Sequence, residues 1–353
     1  MKRSAENRAA DVRRIVLAAR DVAASRDAIM DEIIRSSGLS REGVELAFEK
    51  HLELFPEDAE IASLVAAAGD AERVAVILSA NVFVGALRAL AIARAASADV
   101  VVRPSKRDPA FARALVRAAA LRGDSSLQLD EDLDVAAIHR GQIHVYGRDE
   151  TIAAVAAKSH VPVVGHGSGM GIAWISHRAD FDAAAAALAN DVVAFDQRGC
   201  LSPRIALVEG DDTCATSFGG TLHEALERLG RVVPRGFVPA AERADSERYV
   251  STMTYAGKAL VGSAHVVAIA PSSSPLVLPP SYRHVHVTSS ANAGAATGRI
   301  AHLSRAIVAV GSDDIDSARR LAPSWARLSK LGWMQRPPFD GPVDHRVSMS
   351  ASV

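Results

Sequence analysis

Residues 73–102, RVAVILSANVFVGALRALAIARAASADVVV, decide the fold class. Two short Val/Ile runs, 73–78 and 99–102, flank an Ala- and Leu-rich stretch, 85–96, that contains no proline. The pattern reads strand, helix, strand, and such a unit builds a parallel sheet. Because the strand runs are apolar without alternation, both faces of that sheet must be covered. Outward from this stretch the alternation continues with a helix over 109–121, a strand over 143–146, a helix over 150–158 and a strand over 161–164. A second pass follows the helix predicted over 180–193. Its strands are 204–208, 265–269, 284–287 and 306–310, with helices near 221–229 and 240–255. The expected class is therefore α/β, with two doubly wound domains, parallel sheets and a helical N-terminal lead-in. Within that lead-in, Ser40 is placed to cap a helical segment that runs through Phe48 and Leu52 and ends at Pro56. The expected boundaries are a helical region over 1–68, a nucleotide-binding domain over 69–194, a catalytic cysteine domain over 195–325 and a proline-rich tail over 326–353.

Composition bounds the partners. At 353 residues with 49% hydrophobic and 23% charged side chains, the chain has material for a large core. A formal net charge of −1 provides no global attraction for nucleic acid or an anionic membrane, so neither is an expected partner. The apolar run Val74 to Leu78 is far shorter than the ~20 residues needed to span a bilayer. With two cysteines, Cys200 and Cys214, and no apolar leader, the expectation is a cytoplasmic protein with reduced thiols. No Cys/His set has metal-ligand spacing, and no metal is expected.

Chemistry concentrates at strand ends, where parallel sheets hold their ligands. Cys200 lies in Phe-Asp-Gln-Arg-Gly-Cys-Leu-Ser-Pro-Arg, residues 195–204, between a helical run and a strand. Gly199 removes a Cβ where a substrate carbonyl would approach. A buried apolar thiol is the alternative. Asn81 follows the strand 73–78, and its amide is a neutral donor for an oxyanion, or else a cap or turn residue. Arg103, Pro104 and Ser105 end the strand 99–102 with polar and basic groups suited to ribose and phosphate, Lys106 and Arg107 adding charge. Gly147 and Arg148 join a strand to a helix N-terminus, an anion-binding arrangement. The run Gly165-His-Gly-Ser-Gly-Met-Gly171 allows close backbone approach to a flat ligand, and His166 is a candidate acid or base within it.

Taken in this order over about residues 70–320, the segments resemble the aldehyde dehydrogenase superfamily. The resemblance implies that Asn81 and the Cys200 backbone N–H form an oxyanion hole, with Cys200 the nucleophile. It implies a cofactor site at Arg103, Pro104, Ser105, Gly147, Arg148, Gly165 and Gly167. Hydrolytic members carry a Glu-Leu-Gly-Gly-Lys segment whose Glu activates water; here Gly165 to Gly169 stand in its place without a carboxylate. The stretches at 103–109 and 145–151, together with Gly-Trp-Met-Gln-Arg-Pro-Pro-Phe-Asp at 332–340, look more particularly like the LuxC-type acyl-CoA reductases. That branch implies NADPH as cofactor, NADH being possible, and an acyl-CoA or other acyl thioester, such as a fatty acyl group, as substrate. It further implies a homo-oligomer or a complex with an acyl-transfer enzyme. Two other readings follow from the departures. One is hydrolytic aldehyde oxidation with His166 as base; the other is a non-catalytic scaffold, suggested by Arg103 where relatives have Lys and by a short chain.

Overall fold

A computed structural model describes residues 3–346. The final residues of the expected tail, 347–353, lie outside the described part. The chain divides into two units. One comprises residues 3–37, 48–168 and 338–346; the other comprises Gly38–Ala47 and Gly169–Pro337. Both carry parallel sheets covered by helices, the α/β class expected.

The first unit opens with α1 (Ala5–Ala24) and α2 (Asp27–Ser37), while α3 (Arg41–Leu46) belongs to the other unit. It resumes with α4 (Asp58–Ala67), β1 (Val74–Ile77), α5 (Gly85–Ala96), β2 (Val100–Arg103), α6 (Ala110–Leu121) and β3 (Leu127–Leu129). It continues with β4 (Gln142–Tyr146), α7 (Asp149–Ala156) and β5 (Val163–His166). The strand order is β3-β2-β1-β4-β5, all parallel. Chain direction across this sheet reverses between β1 and β4, so the crevice at their C-terminal ends is the topological switch point. Helix α5 is buried from Ala86 to Ala96, including Arg88 and Arg94. A helix buried all round must pair its charges: Arg94 meets Asp124 at 2.9 Å and Asp11 at 3.2 Å. Asp11 belongs to α1, which packs on α5 and α6 through Val12, Ile15 and Val16. Each such side chain withdrawn from water contributes roughly 1.5–3 kcal/mol. Helix α1 is thus an outer layer on the helices that cover this unit's sheet.

The second unit contains β6 (Met170–Ile175), α8 (Phe181–Val193), β7 (Pro203–Glu209), α9 (Asp212–Val232), α10 (Ala240–Ala256) and β8 (Lys258–Val261). It continues with β9 (Val266–Ala270), β10 (His284–Ser290), α11 (Ala293–Ile300), β11 (Ile307–Ser312), α12 (Ile315–Arg319) and β12 (Arg327–Lys330). The strand order is β12-β11-β6-β7-β10-β9-β8, and β8 alone runs antiparallel, on the edge. Strand β6 pairs with both β7 and β11, so it and α8 fold with this unit rather than with the expected 69–194 domain. Strand β12 extends the sheet into the expected tail. Beyond it, the Asp191 carboxylate of α8 accepts the N–H groups of Gly332 at 2.6 Å and Met334 at 2.9 Å. Ser40 caps α3 as expected, accepting from Gly43 N–H at 3.0 Å.

Gly171 lets β6 lie against the segment that follows Cys200. Its N–H donates to Ser202 O at 2.9 Å, and a Cβ there would stand 2.3 Å from Leu201 O and 2.7 Å from Met334 Cε. Leu201 O is a backbone oxygen in the turn before β7, and it cannot swing aside as the end of a side chain can. Gly171→Ala is expected to destabilise the protein by about 1–3 kcal/mol, read as a lower urea midpoint; a parental midpoint would contradict this packing.

Candidate functional site

The first unit gathers eight of the nine expected site residues along one sheet edge. Asn81 lies in the bend after β1 and is exposed. The cap of α5 is Val84, so Asn81 is not the helix cap that the sequence allowed. Arg103 is the last residue of β2, followed by buried Pro104 and half-buried Ser105. The Arg103 guanidinium donates to Leu133 O at 3.2 Å, which holds its stem along the sheet edge. Gly147 and Arg148 follow β4, with Arg148 at the N-cap of α7. A Cβ at Gly147 would make ordinary van der Waals contact with the Thr151 side chain at 3.6 Å, so the backbone there tolerates a side chain.

Gly165 and Gly167 have a different cause. A Cβ at Gly165 would stand 2.7 Å from Ile152, and one at Gly167 would stand 2.4 Å from Asp149 Oδ1. The close approach they permit is that of α7 to β5. Asp149 fastens the contact by accepting the Ser168 N–H at 3.0 Å. With Asp149 and Glu150 both in its first turn, α7 offers an anion less than a bare helix N-terminus would, and Arg148 offsets part of that charge.

Behind this edge lies a polar cluster that sequence reading missed except for His166. Tyr146 on β4 and His166 on β5 are register partners, their rings stacked at 4.2 Å and 9°. His144 lies 5.8 Å from His166, centroid to centroid. Burial pulls His166 down to about 4 and His144 down to about 3, so both rings are neutral at pH 7. Burial likewise raises the Tyr146 phenol. Among the described residues, Tyr146 Oη, His166 Nε2 and His144 Nδ1 have no hydrogen-bond partner. Buried polar atoms of this kind ordinarily meet a ligand or water. The alternation of polar residues in His-Val-Tyr at 144–146 was the available signal.

The second unit holds the ninth residue. Cys200 is a half-buried thiol in the turn between a 3₁₀ segment, Ala194–Gln197, and β7. Phe195, Asp196 and Gln197 have φ of 52°, 50° and 61°, left-handed values that non-glycine residues seldom adopt. Such backbone costs on the order of 1–3 kcal/mol per residue and persists only when its surroundings enforce it. Here the enforcement is visible. The fully buried Gln197 amide donates to Pro203 O and His284 O, both at 2.7 Å, and its oxygen accepts His284 N–H at 2.8 Å. Asp196 Oδ1 receives Arg283 Nε at 2.8 Å, and its Oδ2 receives Gly236 N–H at 3.0 Å. Asp196 O accepts Tyr282 N–H at 3.1 Å. Tyr282 and Arg283 are themselves left-handed, with φ of 71° each. Two strained turns therefore hold one another, and Cys200 follows closely after the first. The Arg198 guanidinium lies over the Tyr282 ring at 5.6 Å. The Tyr282 to His284 half of this clasp carried no sequence signal.

Known proteins place this architecture. Similar solved structures include proline utilization A of Bradyrhizobium japonicum as its D778Y mutant, at 15% identity and TM-score 0.64. That match covers 96% of this chain, which spans only 39% of that protein's length. An NAD-dependent benzaldehyde dehydrogenase from Corynebacterium glutamicum matches at 16% identity and TM-score 0.65, over 93% of this chain and 83% of the other. An acetylating aldehyde dehydrogenase from Geobacillus thermoglucosidasius matches at 14% identity and TM-score 0.63, over 95% of this chain and 83% of the other. At these identities the likeness establishes the fold. No curated protein sequence matches the chain. The family model for acyl-CoA reductase (LuxC) matches residues 67–302. That stretch is more than half of the chain and runs through both units, and on it the chain belongs to the acyl-CoA reductase (LuxC) family.

Proposed function

We propose that this protein reduces an acyl thioester, with a fatty acyl-CoA as the substrate class, to the aldehyde by way of an acyl group carried on Cys200. The observation that carries the reading is the clasped left-handed turn that fixes Cys200 at the head of β7. A nucleophile held on rigid backbone approaches a carbonyl at low entropic cost. The Cys200 thiolate attacks the thioester carbonyl, and the oxygen that becomes an alkoxide takes the Cys200 backbone N–H, with the Asn81 amide assigned as second donor on the order of the sequence motifs alone. The C–S bond to the leaving thiol then breaks, leaving the acyl group on Cys200. After reduction the bond between Cys200 and the substrate carbon breaks in turn, returning the thiolate and releasing aldehyde. No carboxylate stands within Gly165 to Gly169, which favours reduction of the acyl-enzyme over its hydrolysis.

The residues of the first unit fit a nicotinamide dinucleotide. Support comes from the orphaned Tyr146 Oη and His166 Nε2 and from the polar ends of β2 and β4 at a switch point. Arg103, Pro104, Ser105, Gly147 and Arg148 would hold it, with Gly165 and Gly167 shaping the floor. Exposed Lys106 and Arg107, just past Ser105, favour NADPH over NADH by offering charge to a 2′-phosphate. When bound, the reduced nicotinamide supplies the hydride. On this reading the first unit is the nucleotide-binding domain and the second the catalytic one.

Cys200→Ala is expected to abolish aldehyde formation from an acyl-CoA while NADPH binding, followed by fluorescence titration, survives; undiminished turnover would overturn the mechanism. Asn81→Ala is expected to lower kcat by roughly 10²–10³-fold with little change in KM, as for loss of one oxyanion donor. An unchanged kcat would remove Asn81 from the reaction.

A further inference from the structure

A nucleophile–base pair lies elsewhere in the second unit. Ser246, on α10, and His284, the first residue of β10, have Oγ and Nε2 2.6 Å apart. On its other side the same ring places Nδ1 2.8 Å from Ser281 O. A carbonyl only accepts, so Nδ1 carries the proton and Nε2 presents its lone pair to the Ser246 hydroxyl. The arrangement is a serine, a histidine acceptor, and a third group that fixes the tautomer. Burial holds His284 down at about 4, so the ring is neutral at pH 7.

Two further observations separate this pair from incidental packing. The threonine hydroxyls in the interior of these helices bond back to the carbonyl four residues earlier, those of Thr252 and Thr254 in α10 and of Thr216 and Thr221 in α9. Ser246 is aimed across at His284 instead. Both residues also line a cavity of about 410 Å³, within the range of small-molecule sites. Val250, Val261 and Val266 give that cavity an apolar wall, and Arg235 places a guanidinium in it.

We propose that Ser246 and His284 form a second acyl-transfer site that hydrolyses small carboxylic esters, independent of Cys200. The Ser246 hydroxyl attacks the ester carbonyl as its proton passes to His284 Nε2, and Arg235 supplies positive charge near the developing alkoxide. The ester C–O bond breaks, the departing alcohol takes the proton from Nε2, and the acyl group remains on Ser246. Water then attacks that acyl carbon, giving its proton to Nε2. The bond to Ser246 Oγ breaks, Oγ recovers the proton, and the carboxylic acid leaves.

The test uses the full chain carrying Cys200→Ala, so that the thiol contributes nothing. With p-nitrophenyl acetate and butyrate, this protein is expected to release p-nitrophenol continuously, and adding Ser246→Ala should reduce the rate at least a hundredfold. A fluorophosphonate should label the peptide containing Ser246 in the Cys200→Ala protein. Ser246→Ala alone should leave acyl-CoA reduction unchanged, which shows that the variant is folded and keeps the two activities distinguishable. Ester hydrolysis that persists without Ser246, or a fluorophosphonate that leaves Ser246 unlabelled, would overturn the proposal.

Discussion

The bonded pair of Asp196 and Arg283 is the constraint on which the turn leading to Cys200 depends. Both side chains are buried, with the guanidinium also giving Nη1 to Val233 O at 2.8 Å. Isolated burial of either charge would be prohibitive, and removing one partner of such a pair typically costs about 3–5 kcal/mol. The pair ties the entry to β7 to the entry to β10, adjacent strands in the centre of a seven-stranded sheet. Gln197 repeats the tie through three hydrogen bonds one residue later. Free energy drawn from a large sheet whose inner strands are buried is thereby spent holding five non-glycine residues in left-handed backbone. The outcome is a thiol on a turn that has no freedom to relax.

The first unit solves a different problem by simpler means. Its small sheet needs no strained turn, because a switch point already opens a crevice between β1 and β4. What it must supply is support for the strand ends. Helix α5 leaves β1 and is buried almost throughout, so α1 is required to complete its cover, and Arg94 is required to pair with Asp11 and Asp124. Asp149 similarly spends its carboxylate on Ser168 N–H, joining α7 to the end of β5.

Much of this was legible in the sequence. The Val/Ile runs at 73–78 and 99–102 emerge as β1 and β2, and the turn around Cys200 stands between a helical run and a strand as read. Asn81, Arg103, Ser105 and Gly147 fall at strand ends because that is where a βαβ chain must leave its sheet. The failures have physical causes. Met-Gly-Ile-Ala-Trp-Ile at 170–175 follows a glycine run that reads as a ligand loop, which concealed β6 and shifted the expected boundary to 195. Tyr282 and Arg283 adopt left-handed φ through tertiary bonds alone, and neither residue type announces that conformation. Gly165 and Gly167 were read as room for a ligand, yet what fills the space beside them is α7.

The central claim is that Cys200 carries the acyl group. Mixing the protein with a series of acyl-CoAs in the absence of nicotinamide nucleotide, followed by intact-mass and peptide mass spectrometry, tests it most directly. The account predicts a mass increase equal to the acyl group, located on Cys200, with one chain length preferred. A protein that stays unmodified across the series, or one acylated on another residue with Cys200 unaltered, would contradict it.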